Sequence, residues 1–139
     1  MMARAATGEV SGSVLVIDDS EIARAEMVRV LKEGGLRAVG LASPIGATRA
    51  ILTHQAEAVV IDIMMPGMRG DRLAALFQGN QRLKRVAVVL VSGVEDVELS
   101  RISAEVGADE VVHKGRLRDL ANVVRRAVHA RKLRADEGG

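Results

Sequence analysis

The sequence predicts an α/β fold in which a parallel sheet carries helices on both faces. Five short β-branched runs alternate with five amphipathic helical patterns, and several of the runs are apolar at successive positions. Strands covered by helices on each side must be apolar on both faces. Strict strand–helix alternation in turn implies right-handed βαβ crossovers. At 139 residues, with 48% hydrophobic residues and two prolines, the chain suits one compact core.

The first strand is VLVID, Val14 to Asp18, and Ser20 caps a helix whose Ala23, Met27, Val30 and Leu31 share one face and which stops at Gly34-Gly35. RAVGLA, Arg37 to Ala42, is the second strand, after which Ser43-Pro44 reads as N-cap and N1 of a helix running to Thr53. The third strand is AVVIDI, Ala58 to Ile63. Asp71 opens a helix with Leu73, Leu76 and Phe77 inward and Gly79 as its stop. VAVVLVS, Val86 to Ser92, is the fourth strand, and Leu99, Ile102 and Val106 mark a helix closed by Gly107. EVVHK, Glu110 to Lys114, is the weakest strand. Leu117, Leu120, Ala121, Val124 and Val128 mark a long fifth helix to Arg134. The folded domain is expected over 13–134, with loose tails at 1–12 and 135–139.

Composition excludes several functions. The absence of cysteine removes disulfides and thiolate metal sites. The start, MMARAATGEVSGS, lacks an apolar signal region, and the aliphatic run Val86 to Val91 is too short to span a bilayer, so a cytoplasmic protein without a membrane segment is expected. The net charge of +2 is uneven, because Lys114 to Arg134 holds eight basic residues against Asp119 alone. A charge run on a helix is usually a solvated face. Phe77 is the only aromatic residue, so stacking platforms for single strands are missing and nucleic acid is disfavoured as a partner.

In open α/β sheets the working site lies beyond the carboxyl ends of the strands. Those ends carry Asp18-Asp19, Asp62, Ser92 and Lys114. If the first and third strands are neighbours, about 4.8 Å apart, three carboxylates crowd together, and their repulsion is relieved by a raised pKa or by a cation. Oxygen ligands without His or Cys favour a hard ion, Mg2+ ahead of Mn2+ or Ca2+. The Lys114 ammonium and the Ser92 hydroxyl suit an anion beside it. Each motif has a bland reading as well: Asp18-Asp19-Ser20 as a capping turn, Asp62 as an Asx-turn, Lys114 as a solvated lysine. His54, His113 and His129 have no partner at metal-ligand spacing and read as structural or exposed.

VLVIDDSE, VVIDIMMPGMRG, VVLVSG and GADEVVHK, in that order, resemble the receiver domain of response regulators in bacterial two-component signalling, a chemotaxis-receiver-like single domain. The resemblance covers about residues 13 to 130. It implies a flavodoxin-like (βα)5 fold with strand order 2-1-3-4-5, a class for which a receiver is a standard example. It implies Asp62 as phosphoacceptor; Asp18, Asp19, Asp62 and the Met64 backbone carbonyl as Mg2+ ligands; and Ser92 and Lys114 as phosphoryl-binding groups. The donor implied is a sensor histidine kinase or histidine phosphotransfer protein, and the output is contact with a protein target through the fourth helix, fifth strand and fifth helix. No separate substrate turnover is expected. On that reading, Pro66-Gly67 turns the chain away so that Asp62 can face the metal.

Two positions depart from the pattern. Val111 stands where receivers often carry Tyr or Phe, so no ring can swing inward there. Gly115 stands where proline is usual, which removes the main reason for a cis peptide. These departures keep open the alternative of a receiver-like protein-binding module that works without phosphorylation. A haloacid-dehalogenase-type phosphatase needs a second aspartate two positions after the first. Here Ser20, Glu21 and Met64 follow Asp18, Asp19 and Asp62 at that spacing.

Overall fold

The structure is a computed structural model describing residues 10–64, 72–73, 75, 77, 79–93, 101, 104 and 107–137, without the side chains of 135–137. The expected Pro66-Gly67 turn, the opening of the third helix at Asp71, its Leu76, and Leu99, Ile102 and Val106 lie outside the described residues. In chain order the elements are β1 (Ser13–Ile17), α1 (Glu21–Glu33), β2 (Arg37–Leu41), α2 (Ala47–Thr53), β3 (Ala56–Asp62), β4 (Ala87–Ser92), β5 (Glu110–His113) and α3 (Leu120–Glu137). Arg72, Leu73, Ala75 and Phe77 are helical, as are Arg101 and Ala104.

All strand pairings are parallel, in the order β2-β1-β3-β4-β5. Register places Ile17 beside Ile61, Ile61 beside Leu90, and Ser92 beside His113. β1 and β4 are buried throughout and β3 nearly so, whereas the edge strands β2 and β5 are partly exposed. That gradient explains why the last strand is the faintest in the sequence: an edge position demands less apolar surface.

Alternation along the strands splits the core in two. Val14, Val16, Ala58, Val60, Val89 and Val91 pack with Met27 and Leu31 of α1 and with Leu120, Val124 and Val128 of α3. Leu15, Ile17, Val59, Ile61 and Leu90 pack on the other face with Ala47 and Ile51 of α2, and with Leu73 and Phe77. Each fully buried aliphatic contributes roughly 1.5–3 kcal/mol over leaving it in water.

α1 and α3 approach closely where Gly34 ends α1, and a Cβ built at Gly34 would stand 2.4 Å from the Ala121 Cβ. The Arg125 guanidinium also donates to the Gly34 carbonyl at 2.7 Å. Gly34→Ala is therefore expected to force the helices apart and cost about 1–3 kcal/mol in urea unfolding; an unchanged midpoint would show that the seam relaxes freely.

Three local expectations are corrected. Ser43 and Pro44 do not start α2: Ser43 Oγ accepts from the Ile45 N–H at 3.1 Å in a turn, and the helix begins at Ala47 after a left-handed Gly46 with φ of 82°. Leu117 lies in a 3-10 turn, Lys114–Asp119, ahead of α3. Residues 10–12 are held to the fold, with Val10 buried and Ser11 Oγ and the Gly12 N–H both donating to the Glu57 carboxylate.

The basic run on α3 is spent largely on partners within the chain. Arg126 pairs with Glu110 and Lys132 with Glu57. Arg131 and Arg134 both pair with Asp109, whose side chain is fully buried. Asp109 Oδ2 also accepts from the Val88 N–H at 2.8 Å, tying the start of β4 to the last helix. Sequence periodicity reads Arg131 as surface charge, but only the tertiary structure brings it to Asp109. Among the described residues no helix is long and apolar enough to cross a membrane.

Candidate metal and phosphoryl site

At the carboxyl ends of the central strands, Asp18 continues the alternation of Val14 and Val16, and Asp62 that of Ala58 and Val60. Both carboxylates therefore belong to the side of the sheet covered by α1 and α3. Asp18 is fully buried, Asp62 is 3% exposed and Asp19 is exposed. One carboxylate oxygen from each of the three lies within 4.8 Å of the others.

The two buried acids divide their oxygens between structure and site. Asp18 Oδ1 accepts from the Ser20 N–H at 2.9 Å, while Oδ2 is buried without a partner among the described residues. Asp62 Oδ1 accepts from the Met64 N–H at 3.1 Å, and its Oδ2 lies 3.4 Å from Lys114 Nζ. The capping-turn and Asx-turn readings are thus satisfied by one oxygen of each group. The second oxygen stays available for chemistry.

Neighbouring groups fix this edge. Ser20 Oγ caps α1 by accepting from the Ala23 N–H at 3.2 Å, and Arg24 Nη1 donates to the Asp18 carbonyl at 2.9 Å. Ser92 ends β4 and is wholly buried. Met64 is 56% exposed just beyond Asp62. Lys114 opens the 3-10 turn after β5, with its side chain 38% exposed as it reaches Asp62.

Burial pushes the Asp18 carboxyl above its ordinary range; the Ser20 N–H offsets part of this, the Asp62 charge adds to it, Lys114 opposes it, and Asp19 adds a little more. A buried carboxylate with an unpartnered oxygen, facing two further acids, suits a hard divalent cation, because all the donors are oxygens. The residues present fit such an ion.

A sequence profile of the response regulator receiver domain matches residues 14–125. The chain belongs to that family. As a receiver domain it is a module of two-component signalling. It is 31% identical over 104 residues to "Protein PilG" of Pseudomonas aeruginosa, covering 73% of this chain and 75% of that protein. It is 33% identical over 103 residues to "Protein-glutamate methylesterase/protein-glutamine glutaminase 5" of Myxococcus xanthus, covering 73% of this chain but 29% of that protein. The chain thus spans about a quarter to a third of the length of the first such relatives, 29% and 26% for two of them. The chemotaxis protein CheY4 of Vibrio cholerae superposes with a TM-score of 0.74 at 20% identity, covering 84% of this chain and 98% of that one. A response regulator from Chloroflexus aurantiacus gives 0.77 at 20% identity, covering 85% and 98%. At that identity both show the fold, the flavodoxin-like one with order 2-1-3-4-5.

The receiver's expected site residues are placed as follows. Asp18, Asp19, Asp62 and Lys114 meet at one edge, with Met64 adjoining. Ser92 closes the neighbouring strand. Val111 lies in β5 beside Leu90 and packs, partly buried, on the α2 side of the sheet. The Lys114–Gly115 peptide is trans, there being no cis bond among the described residues. Sequence reading missed two polar contacts. Arg24 bracing the Asp18 carbonyl carries no sequence signal beyond its spacing in the first turns of α1. His113, which accepts from the Gly115 N–H at 3.0 Å, could have been found from the missing proline, since a glycine brings an N–H that needs an acceptor.

Proposed function

We propose that this receiver accepts a phosphoryl group on Asp62 from a phosphohistidine donor, a sensor histidine kinase or histidine phosphotransfer protein, in a Mg2+-dependent reaction. The observation that carries the reading is the cluster of buried Asp18 and Asp62 with exposed Asp19, with an unpartnered Asp18 oxygen and the Lys114 ammonium 3.4 Å from Asp62. Asp18, Asp19, Asp62 and the Met64 carbonyl would hold the ion. A bound Mg2+ supplies neutralising charge for the phosphoryl oxygens.

The side chains have separate tasks. An Asp62 oxygen forms the new P–O bond as the P–N bond to the donor imidazole breaks, and the imidazole nitrogen keeps the electron pair and takes up a proton. Lys114 balances the charge that builds on the transferring group, and the Ser92 hydroxyl donates to it. No residue need act as a general base, because a carboxylate is already the nucleophile. Asp18 and Asp19 tolerate their mutual repulsion because their oxygens serve the ion.

The output is contact with a protein target. With Val111 in place of an aromatic residue, repacking around Ser92 and the face formed by β5 and α3 is the route on which the reading relies. Much of the α3 charge is already paired with Glu57, Asp109 and Glu110. Arg116 and Arg118, exposed on the turn after Lys114, are the cations offered to an acidic partner. The phosphorylation-independent alternative is not favoured, since the acids and the ammonium converge at one edge.

Incubation with Mg2+ and acetyl phosphate is expected to give an alkali-labile, hydroxylamine-sensitive phosphorylated species, as acyl phosphates are, detected as an 80 Da mass increment on about one site per chain. Asp62→Asn should abolish it. No adduct on the wild-type chain, or one that survives Asp62→Asn, overturns the assignment.

A further inference from the structure

Lysine carries a large rotamer entropy, so an ammonium held near Asp62 depends on the backbone from which it hangs. That backbone is the 3-10 turn Lys114–Asp119. Its first N–H groups have no partner within the turn and need acceptors. His113 supplies one: it sits in the N-cap position with extended φ and ψ of −77° and 141°, and its Nδ1 accepts from the Gly115 N–H at 3.0 Å.

The flanking residues are fixed independently. His113 is the last residue of β5 and pairs in register with Ser92 of β4. Leu117, at the other end of the first turn, packs partly buried against the core of α1 and α3. Lys114 and Gly115 lie between these anchors, and the imidazole bond spans them. A Cβ at Gly115 would stand 3.2 Å from His113 Nδ1, so the imidazole would have to give by a few tenths of an ångström. A proline at 115 would have no N–H to donate, which would leave the imidazole without this role.

We propose that His113 is a positioning residue: its Nδ1 clamps the Gly115 amide and so sets the turn that aims Lys114 at Asp62. His113 and Gly115 work as a pair, doing by a hydrogen bond what a rigid residue after the lysine would do by its ring. The bond requires a neutral imidazole with its proton on Nε2. Asparagine, a short side chain with an acceptor oxygen and a strong N-cap preference, is the conservative replacement. Alanine leaves the Gly115 amide to water. This deepens the reading of Asp62 and Lys114 given above and rests on it.

The test measures Mg2+-dependent phosphorylation of Asp62 by acetyl phosphate in the full chain, with the Mg2+-induced thermal shift in parallel. His113→Ala should slow phosphorylation about tenfold or more, since small misplacements of a positioned group cost one to two orders of magnitude. Its Mg2+ shift should be unchanged, because His113 is not among the acids. His113→Asn should recover most of the rate. In a Gly115→Pro background, His113→Ala should add no further loss, because the amide it would orphan is gone. Nitrogen-15 spectra of the imidazole should show an unprotonated Nδ1 whether or not the chain is phosphorylated, so a protein that never takes a phosphoryl group refutes the Asp62 reading while leaving the clamp to be read directly. Wild-type rates in His113→Ala, failure of asparagine to rescue, an undiminished loss in the Gly115→Pro background, or a protonated Nδ1 each overturn the clamp.

Discussion

Asp18→Asn is expected to raise the thermal midpoint of the metal-free protein at neutral pH and to erase its response to Mg2+. The folded chain holds Asp18 fully buried with one oxygen unpartnered, and burial, reinforced by Asp62 and Asp19, raises its carboxyl above the ordinary value. A pKa raised on folding means that the folded state binds the proton more tightly than the unfolded chain. The corresponding stability is full below the ordinary carboxylate range and is lost as pH rises through the folded value. Above that folded value the metal-free protein carries an ionised, poorly solvated group, and a neutral amide is cheaper to bury. On the proposed function Mg2+ should reverse the balance for the wild-type chain: at one hundred times its dissociation constant a bound ion stabilises by about 2.7 kcal/mol. The variant, with one proposed ligand neutralised, should show little of this. Thermal scans with and without Mg2+, between pH 4 and 8, measure both effects. An apo Asp18→Asn protein less stable than wild type at pH 7, or one that keeps the full Mg2+ shift, would remove the case for a cation at this edge.

Asp109→Ala should destabilise the domain by about 3–5 kcal/mol, the usual cost of stripping one partner from a buried ion pair. The carboxylate is fully buried against Arg131, whose side chain is 9% exposed, and it accepts from the Val88 N–H as well. Removing it takes the carboxylate from a buried guanidinium and the acceptor from the Val88 N–H. Burial already lowers the Arg131 pKa despite the pairing, a sign of how little solvation remains there. Arg131→Met in the Asp109→Ala background removes the stranded charge and should recover part of the loss. Urea unfolding of the single and double variants reads the coupling directly. A single-variant loss below about 1 kcal/mol would mean that the pair is solvated in solution. Because Asp109 lies before β5 and Lys114 after it, the effect should appear in stability with phosphorylation at Asp62 retained.

The two polar clusters were unequally legible for a physical reason. Asp18, Asp19, Asp62, Ser92 and Lys114 follow β-branched runs, and in a parallel α/β sheet all strand ends of one sense share an edge, so strand position alone predicts that they meet. Asp109 and Arg131 are separated by a turn, a strand and most of α3. Their meeting depends on how α3 lies across the sheet, which no local pattern states. The same limit explains the start of α2: Ser43 and Pro44 have good capping chemistry, but the chain spends it on a turn and enters the helix after a left-handed Gly46.

By itself, then, the sequence determined the layer architecture, the direction of the sheet and the family, since hydrophobic period and the order of motifs are local properties of the chain. Tertiary structure decided which oxygen of each aspartate is spent on a turn, which basic side chains on α3 find carboxylates, and which acceptor meets the Gly115 amide. Those outcomes depend on distances between segments far apart in the chain, and packing alone sets such distances.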